Sequence, residues 1–241
     1  MGFLPARARL LCDPVTDPIN GWVITLDGPA ASGKSTTAKR VADVLGFVYL
    51  DTGALYRAVT VLAFKGGVAP DDAAALKALL EASDIQVRRE GGVQRILSGG
   101  SDITLLLRSP EVERHVSAIS AVPEVRQAML QVQRAQQKPP GLVAEGRDLG
   151  TVVFPQAHLK IYMIADLSVR AQRRARERQL AGQLASPESE RESLARRDQA
   201  DSGRALAPLR QPEGSVLVDT TGLTIEEQTD RVVDLFRGLS G

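Results

Sequence analysis

The chain has 241 residues, 43% apolar and 24% charged, the composition of an ordinary globular protein with one good core and room for one or two small appendages. Thirty Lys and Arg against twenty-nine Asp and Glu leave a formal charge of +1, so no basic field argues for a nucleic-acid polymer or an anionic membrane as the main partner. Cys12 is the only cysteine, which excludes an intrachain disulfide and a multi-thiolate metal site and fits a reducing compartment, the cytoplasm.

No apolar stretch approaches the roughly eighteen residues that cross a bilayer, so a soluble protein is expected. Residues 1–20 hold three prolines and no periodicity. Their apolar segment, Leu10 to Cys12, is too short for a signal-peptide core, and Ala6 stands where a myristoylation signal needs Ser or Thr. They read as a loose extension whose removal is expected to leave activity intact.

From Trp22 the pattern sharpens. An apolar run to Leu26 meets Gly28-Pro29-Ala30-Ala31-Ser32-Gly33-Lys34-Ser35-Thr36, and the next segment is apolar at helical spacing through Ala38, Val41, Ala42 and Leu45. Strand, glycine-rich turn and helix in that order make a phosphate-binding loop. The glycines let successive N–H groups face one anion at the positive end of a helix. Lys34 adds charge for the outer phosphates, and the Ser35 hydroxyl is placed to ligate the Mg²⁺ that accompanies a nucleoside triphosphate.

Phe47 to Leu50 reads as a short strand ending at Asp51-Thr52-Gly53, followed by a helix from Ala54 that carries Tyr56 and Arg57 in its first turn. Residues 66–108 differ in character. A short alanine-rich helix precedes two alternating runs around Gly91-Gly92, the pattern of a β-hairpin, and Asp102 to Leu107 is taken as a third strand. Residues 110–135 are helical with a break at Pro123; Leu142 to Ala144 is a buried strand ending at Glu145-Gly146-Arg147-Asp148; residues 160–166 form another strand. A charged helix follows, whose arginines between 173 and 178 read as solvated surface. Residues 183–213 are polar and arginine-rich, and a last strand and helix complete the chain.

Strands alternating with helices predict an α/β fold: a three-layer core of parallel sheet covered by helices at residues 21–65, 109–182 and 214–241, a small β-containing insert at 66–108, and an arginine-rich lid at 183–213. Ligands in such sheets sit at the carboxyl ends of the strands, which here carry Asp27, Asp51, Glu145, Asp166 and Asp219. No Asn-Lys-x-Asp guanine reader occurs. His115 and His158 stand in no catalytic motif and read as structural or surface residues.

GPAASGKST (28–36), DTGALYR (51–57), EGRDLGTVVFP (145–155) and RRDQADSGRALAPL (196–209) together make the chain from about residue 22 to 240 resemble a bacterial cytidylate kinase, of the nucleoside monophosphate kinase family. The resemblance implies that ATP, with Mg²⁺, phosphorylates CMP or dCMP. It implies that Lys34 serves the ATP phosphates while Arg57, Arg147 and Arg204 hold the acceptor phosphate and the transferring group. Asp148 and Arg126, assisted by Ser117, would read cytosine; Arg197 and Asp201 would take the sugar, with Thr52 near the acceptor. Glu145 would position magnesium-bound water. Many relatives have Asp there, so the longer side chain is a departure, as are the uncharged Ala200, Ser202 and Gly203 of the lid. Nothing in the sequence requires an oligomer, and a monomer is expected. Two alternatives stay open: another small kinase, for UMP, AMP or a hydroxyl-bearing metabolite, the last with Asp51 as base, and a nucleotide-dependent switch without an acceptor pocket.

Overall fold

The computed structural model describes residues 20–240; the extension assigned to residues 1–20 lies outside them but for Asn20. Five strands form a parallel sheet, β1 (Trp22–Asp27), β2 (Val48–Asp51), β6 (Gly141–Gly146), β7 (Leu159–Ile164) and β8 (Val216–Asp219), in the order β2-β6-β1-β7-β8. The central strand β1 is buried along its whole length, and its pleat divides it between two cores. Trp22, Ile24 and Leu26 pack with α1 (Lys34–Leu45) and α8 (Ile225–Ser240), whereas Val23 packs with Leu142, Ala144, Leu149 and Phe154 on the opposite face. By the same alternation Asp27, the last residue of β1, belongs to the Val23 face.

A third core lies around α2 (Thr52–Lys65), which buries residues on nearly every side. Such a helix must be enclosed by other elements rather than lie on a surface. It is enclosed by α3 (Ala73–Ala82), α4 (Pro110–Ile119), α5 (Pro123–Arg134) and the antiparallel sheet β3 (Ile85–Glu90), β4 (Val93–Ser98) and β5 (Ser101–Asp102). The hairpin turns at Gly91-Gly92 as its sequence predicts, both glycines having positive φ.

The insert and the lid each depart from a plain reading of their sequence. The third strand is only Ser101–Asp102, and Thr104–Arg108 is a 3-10 turn. Asp102 accepts from the Thr104 N–H, bending the chain, and Ile103 and Leu107 are buried while Leu105 is 91% exposed, a helical rather than alternating arrangement. The polar stretch 183–213, to which the sequence assigns no element, contains the sixteen-residue helix α7 (Pro187–Ser202). It starts with Pro187 after Ser186, whose hydroxyl accepts from the Ser189 N–H while Ser189 returns the bond. It packs along α6 (Leu167–Leu180).

Charge holds that pair. Arg174 and Arg178 of α6 both bond Glu113 of α4, and Arg178 pairs with the buried Glu190 of α7 at 3.0 Å. Arg173 donates to the Thr220 carbonyl at 2.6 Å. These three arginines are half-buried ties between elements, not the solvated face the sequence predicts; Arg176 alone of the group is exposed. The histidines are structural as expected: Nδ1 of His158 accepts from the Val23 N–H, and His115 sits edge-on to Phe64.

Candidate active site

The loop between β1 and α1 is made by backbone. Gly28 has φ of 147°, and a Cβ there would stand 2.0 Å from the Met163 carbonyl oxygen, so only glycine lets β1 leave the sheet here. Gly33 at φ 95° precedes α1, whose first residue, Lys34, is buried. Its Nζ donates to the Pro29 carbonyl at 2.6 Å and to Ser32 Oγ at 3.3 Å. Burial lowers the Lys34 pKa and neighbouring Arg147 lowers it further, against the opposing pull of Glu145 and Asp27. Ser35 and Thr36 are exposed at the start of the helix.

The carboxyl ends of β2 and β6 supply the next layer. Asp51 caps α2 by accepting from the Ala54 N–H at 3.0 Å through one oxygen, and its other oxygen accepts from Arg57 at 2.7 Å. Glu145 is buried; Tyr49 donates to it at 2.8 Å, and nearby Ser35 helps hold its pKa down. Burial raises the Glu145 pKa, with Asp51 adding to the rise. The Thr52 hydroxyl donates to the Glu145 carbonyl at 2.7 Å, tying the two strand ends together. The Gln94 side-chain amide, reaching over from β4, pairs with both the N–H and the carbonyl of Asp51, at 2.9 and 3.1 Å.

Beyond them Arg126 of α5 bonds Asp148, donates to the Ser120 carbonyl at 3.0 Å, and lies 5.5 Å from the centre of the Tyr56 ring. Burial raises the Asp148 pKa against the pull of Arg126, Arg204 and Arg147. Ser117 lines the same space from α4, half-buried.

The lid helix contributes one hub. Asp201 is 1% exposed and meets three guanidiniums: Arg147 at 2.9 Å, Arg204, and Arg197 at 3.9 Å. Burial pushes its pKa up, but the arginines outweigh that and hold it below the ordinary carboxylate value. Arg197, desolvated beside Arg147, is pushed down to about 10. Among the described residues, Nε of Arg57 and of Arg197 are buried without a hydrogen bond.

All these groups border one cleft of about 1690 Å³, running from the phosphate loop to the α4–α5 end. Every predicted site residue lines it except Gly28, Pro29 and Ser32, which lie behind the loop: Pro29 accepts from Ser32 Oγ as well as from Lys34. Sequence reasoning missed Tyr49, Tyr56, Gln94 and Arg170. Arg170 is buried and joins the Ala30 carbonyl, at 3.2 Å, to Asp198 of α7, at 2.8 Å. The signal available for it was its place beside Ala171 and Ala175 on the buried face of an otherwise charged helix.

A family model described as cytidylate kinase matches residues 24–238. Cytidylate kinases of Streptococcus pneumoniae strains 70585 and D39 are each 46% identical over 210 residues, which cover 87% of this chain and 94% of theirs. Among solved structures, TT1252 from Thermus thermophilus aligns over 92% of this chain and 99% of its own at a TM-score of 0.46 and 21% identity. Matched by the family model over nearly all of its described length and 46% identical to cytidylate kinases over most of theirs, the chain belongs to the cytidylate kinase family.

Proposed function

We infer that this chain, as its family membership implies, transfers the γ-phosphate of ATP to CMP or dCMP, releasing ADP and CDP or dCDP. The observation that carries the site-level reading is the single cleft that joins a phosphate loop at one end to a buried Arg126–Asp148 pair at the other, with arginines between.

The acceptor is itself a phosphate, largely dianionic at neutral pH because its second pKa is near 6, so it needs no general base. The chemistry is a matter of bringing two anions together and excluding water. Lys34 turns from the Pro29 carbonyl to the ATP phosphates, and the loop N–H groups of residues 28–36 hold the rest of the triphosphate. Arg57, Arg147 and Arg204 gather the acceptor phosphate and the transferring group; planar guanidiniums match phosphate oxygens with paired donors. The unbonded Nε of Arg57 is a donor available for that purpose.

At the far end, cytosine offers an amino donor at N4 and an acceptor at N3, and uracil reverses both. Asp148 accepts from N4 and Arg126 donates to N3 and O2, with Ser117 assisting. Arg197 and Asp201 take the ribose, and Thr52 lies near the acceptor. Asp51 is engaged as the cap of α2 and as the partner of Arg57, roles that account for its carboxylate without making it a base.

The residues fit Mg²⁺. Ser35 and Glu145 are hard oxygen donors that line the same cleft, and no group of three or more His, Cys, Asp or Glu that could hold a metal occurs among the described residues. A donor set this sparse suits an ion that keeps several waters and reaches the protein chiefly through a nucleotide. Ser35 would ligate it directly and Glu145 through water; bound there, the ion neutralises charge on the β- and γ-phosphates.

We further propose that the protein works in the cytoplasm as a monomer on small molecules, without nucleic-acid or membrane partners, which its charge of +1 supports. No helix among the described residues is long and apolar enough to cross a membrane. The three-part division, core, insert at 66–108 and lid at 183–213, is part of the same proposal. The deciding experiment measures ADP release from Mg-ATP with CMP, dCMP, UMP, AMP, GMP and shikimate offered singly. Release with CMP and dCMP far above the others is expected; equal release in every tube, including water, would remove the reading.

A further inference from the structure

Asp27 is fully buried at the end of β1 and has no part in the chemistry above. Its two carboxylate oxygens each accept one backbone N–H, from Leu149 and from Gly150, both at 2.8 Å. These donors follow Arg147 and Asp148 directly and open a short π-type turn, Leu149–Val153. The last ladder pair between β1 and β6 is Asp27 with Gly146. Beyond it the two strands part, one into the phosphate loop and the other into the Arg147–Asp148 turn, and the Asp27 carboxylate carries the connection on where backbone pairing stops. Arg147 closes the same joint from the other side, its guanidinium donating to the Gly28 carbonyl at 2.9 Å.

A carboxylate is a costly choice for this place. Burial pushes its pKa to about 6 even though both amide bonds and Lys34 pull it down, and Asp148 nearby adds to the rise. A neutral side chain could cap one amide at less cost. Only a carboxylate presents two equivalent acceptors to two successive N–H groups, and so fixes the turn in orientation as well as position.

We propose that Asp27 is a positioning residue for acceptor recognition: by clamping Leu149 and Gly150 it sets Asp148 and Arg147 in register with the phosphate loop, and cytosine is distinguished from uracil only while that register holds. The inference rests on the functional reading above, in which Asp148 reads the base. Asp27→Asn keeps the shape and one acceptor but turns an amide N–H₂ toward the other N–H. The measurement is kcat/KM for CMP and for UMP, with melting temperature recorded beside it. The CMP-to-UMP ratio is expected to fall roughly tenfold, the scale of losing one hydrogen bond to a charged group. A clamp that serves stability alone would lower the melting temperature and leave the ratio unchanged, and that result would overturn the proposal.

A second variant replaces the Gly150 amide by an ester, which removes one donor and leaves Asp27 in place; the same fall in ratio is expected. If neither variant folds, Asp27 is a folding contact and the positioning role is withdrawn. The wild-type chain measured alongside keeps the two claims separate. A wild type without preference for CMP would remove the acceptor reading itself, whereas a preference that survives in a folded variant would remove only the role of Asp27.

Discussion

The phosphate loop and the lid face each other across the cleft and are built by opposite means. The loop is backbone: nine consecutive residues, bent at Gly28, where a Cβ would collide with the Met163 carbonyl, and at Gly33, where it would meet the Gln228 side chain, on the buried end of the central strand. The lid helix α7 buries one large apolar residue, Leu194, and is otherwise held by ion pairs, Asp201 with three arginines, Asp198 with Arg170 and Glu190 with Arg178. A region fixed by packing and backbone geometry keeps one shape. A region fixed by charge can be reorganised by any ligand that brings charge of its own, because each guanidinium then has two partners to choose between.

The contrast can be broken most severely at the loop. Lys34→Ala removes its only mobile charge and is expected to lower kcat by about 10³, the upper range for loss of one preorganised donor, with CMP affinity by titration calorimetry unchanged. Next comes Asp27, through pH. Its folded pKa of about 6 lies above the ordinary 3.8, so the folded state holds the proton more tightly, and its contribution to stability is present in acid and lost as pH rises through 6. Relative to Asp27→Asn, the wild type should lose on the order of 3 kcal/mol between pH 4 and pH 7, taking about 1.4 kcal/mol for each pKa unit. Urea midpoints for both proteins across that range would check it; parallel curves would contradict it.

On the lid side, Asp201→Asn leaves Arg147, Arg197 and Arg204 without their shared counter-charge and should cost about 2 kcal/mol in kcat/KM for CMP, with faster amide exchange confined to α7. A uniform rise in exchange over the sheet would mean the lid is as integral to the fold as the loop. The smallest effect is expected at Arg40–Glu226, an exposed pair with 47% and 67% of its side chains accessible. Glu226→Ala should leave the midpoint of thermal denaturation essentially unchanged.

The same contrast decides what could be read from the sequence. The loop, the hairpin at Gly91-Gly92 and the parallel strands are local patterns, and each is found where its spacing places it. The helix α7 escaped because its turns are stabilised by residues distant in the chain, Arg147, Arg170 and Arg178, so its own composition carries no apolar stripe. Its visible signal, Ser186-Pro187 at the start of a helix, is a cap pattern independent of hydrophobicity. Asp102 to Leu107 was misread because a run of three leucines satisfies either period until Asp102 turns the chain. Predicted site residues from six segments border one cleft because strand ends in a parallel sheet converge; the partners Gln94 and Tyr49 stand in no motif, and only pairing in space reveals them.

Gln94 has a bearing on the chain's solubility as well as on its site. Strand β2 is the outer strand of the five-stranded sheet, where open N–H and carbonyl groups would invite a strand from another molecule. The amide of Gln94 meets both the N–H and the carbonyl of Asp51, and Arg89 reaches the Tyr49 carbonyl at 3.3 Å. Two side chains of the small hairpin thus take the positions a neighbouring strand would occupy, and the part of the molecule that closes over one end of the cleft also seals the sheet against growth.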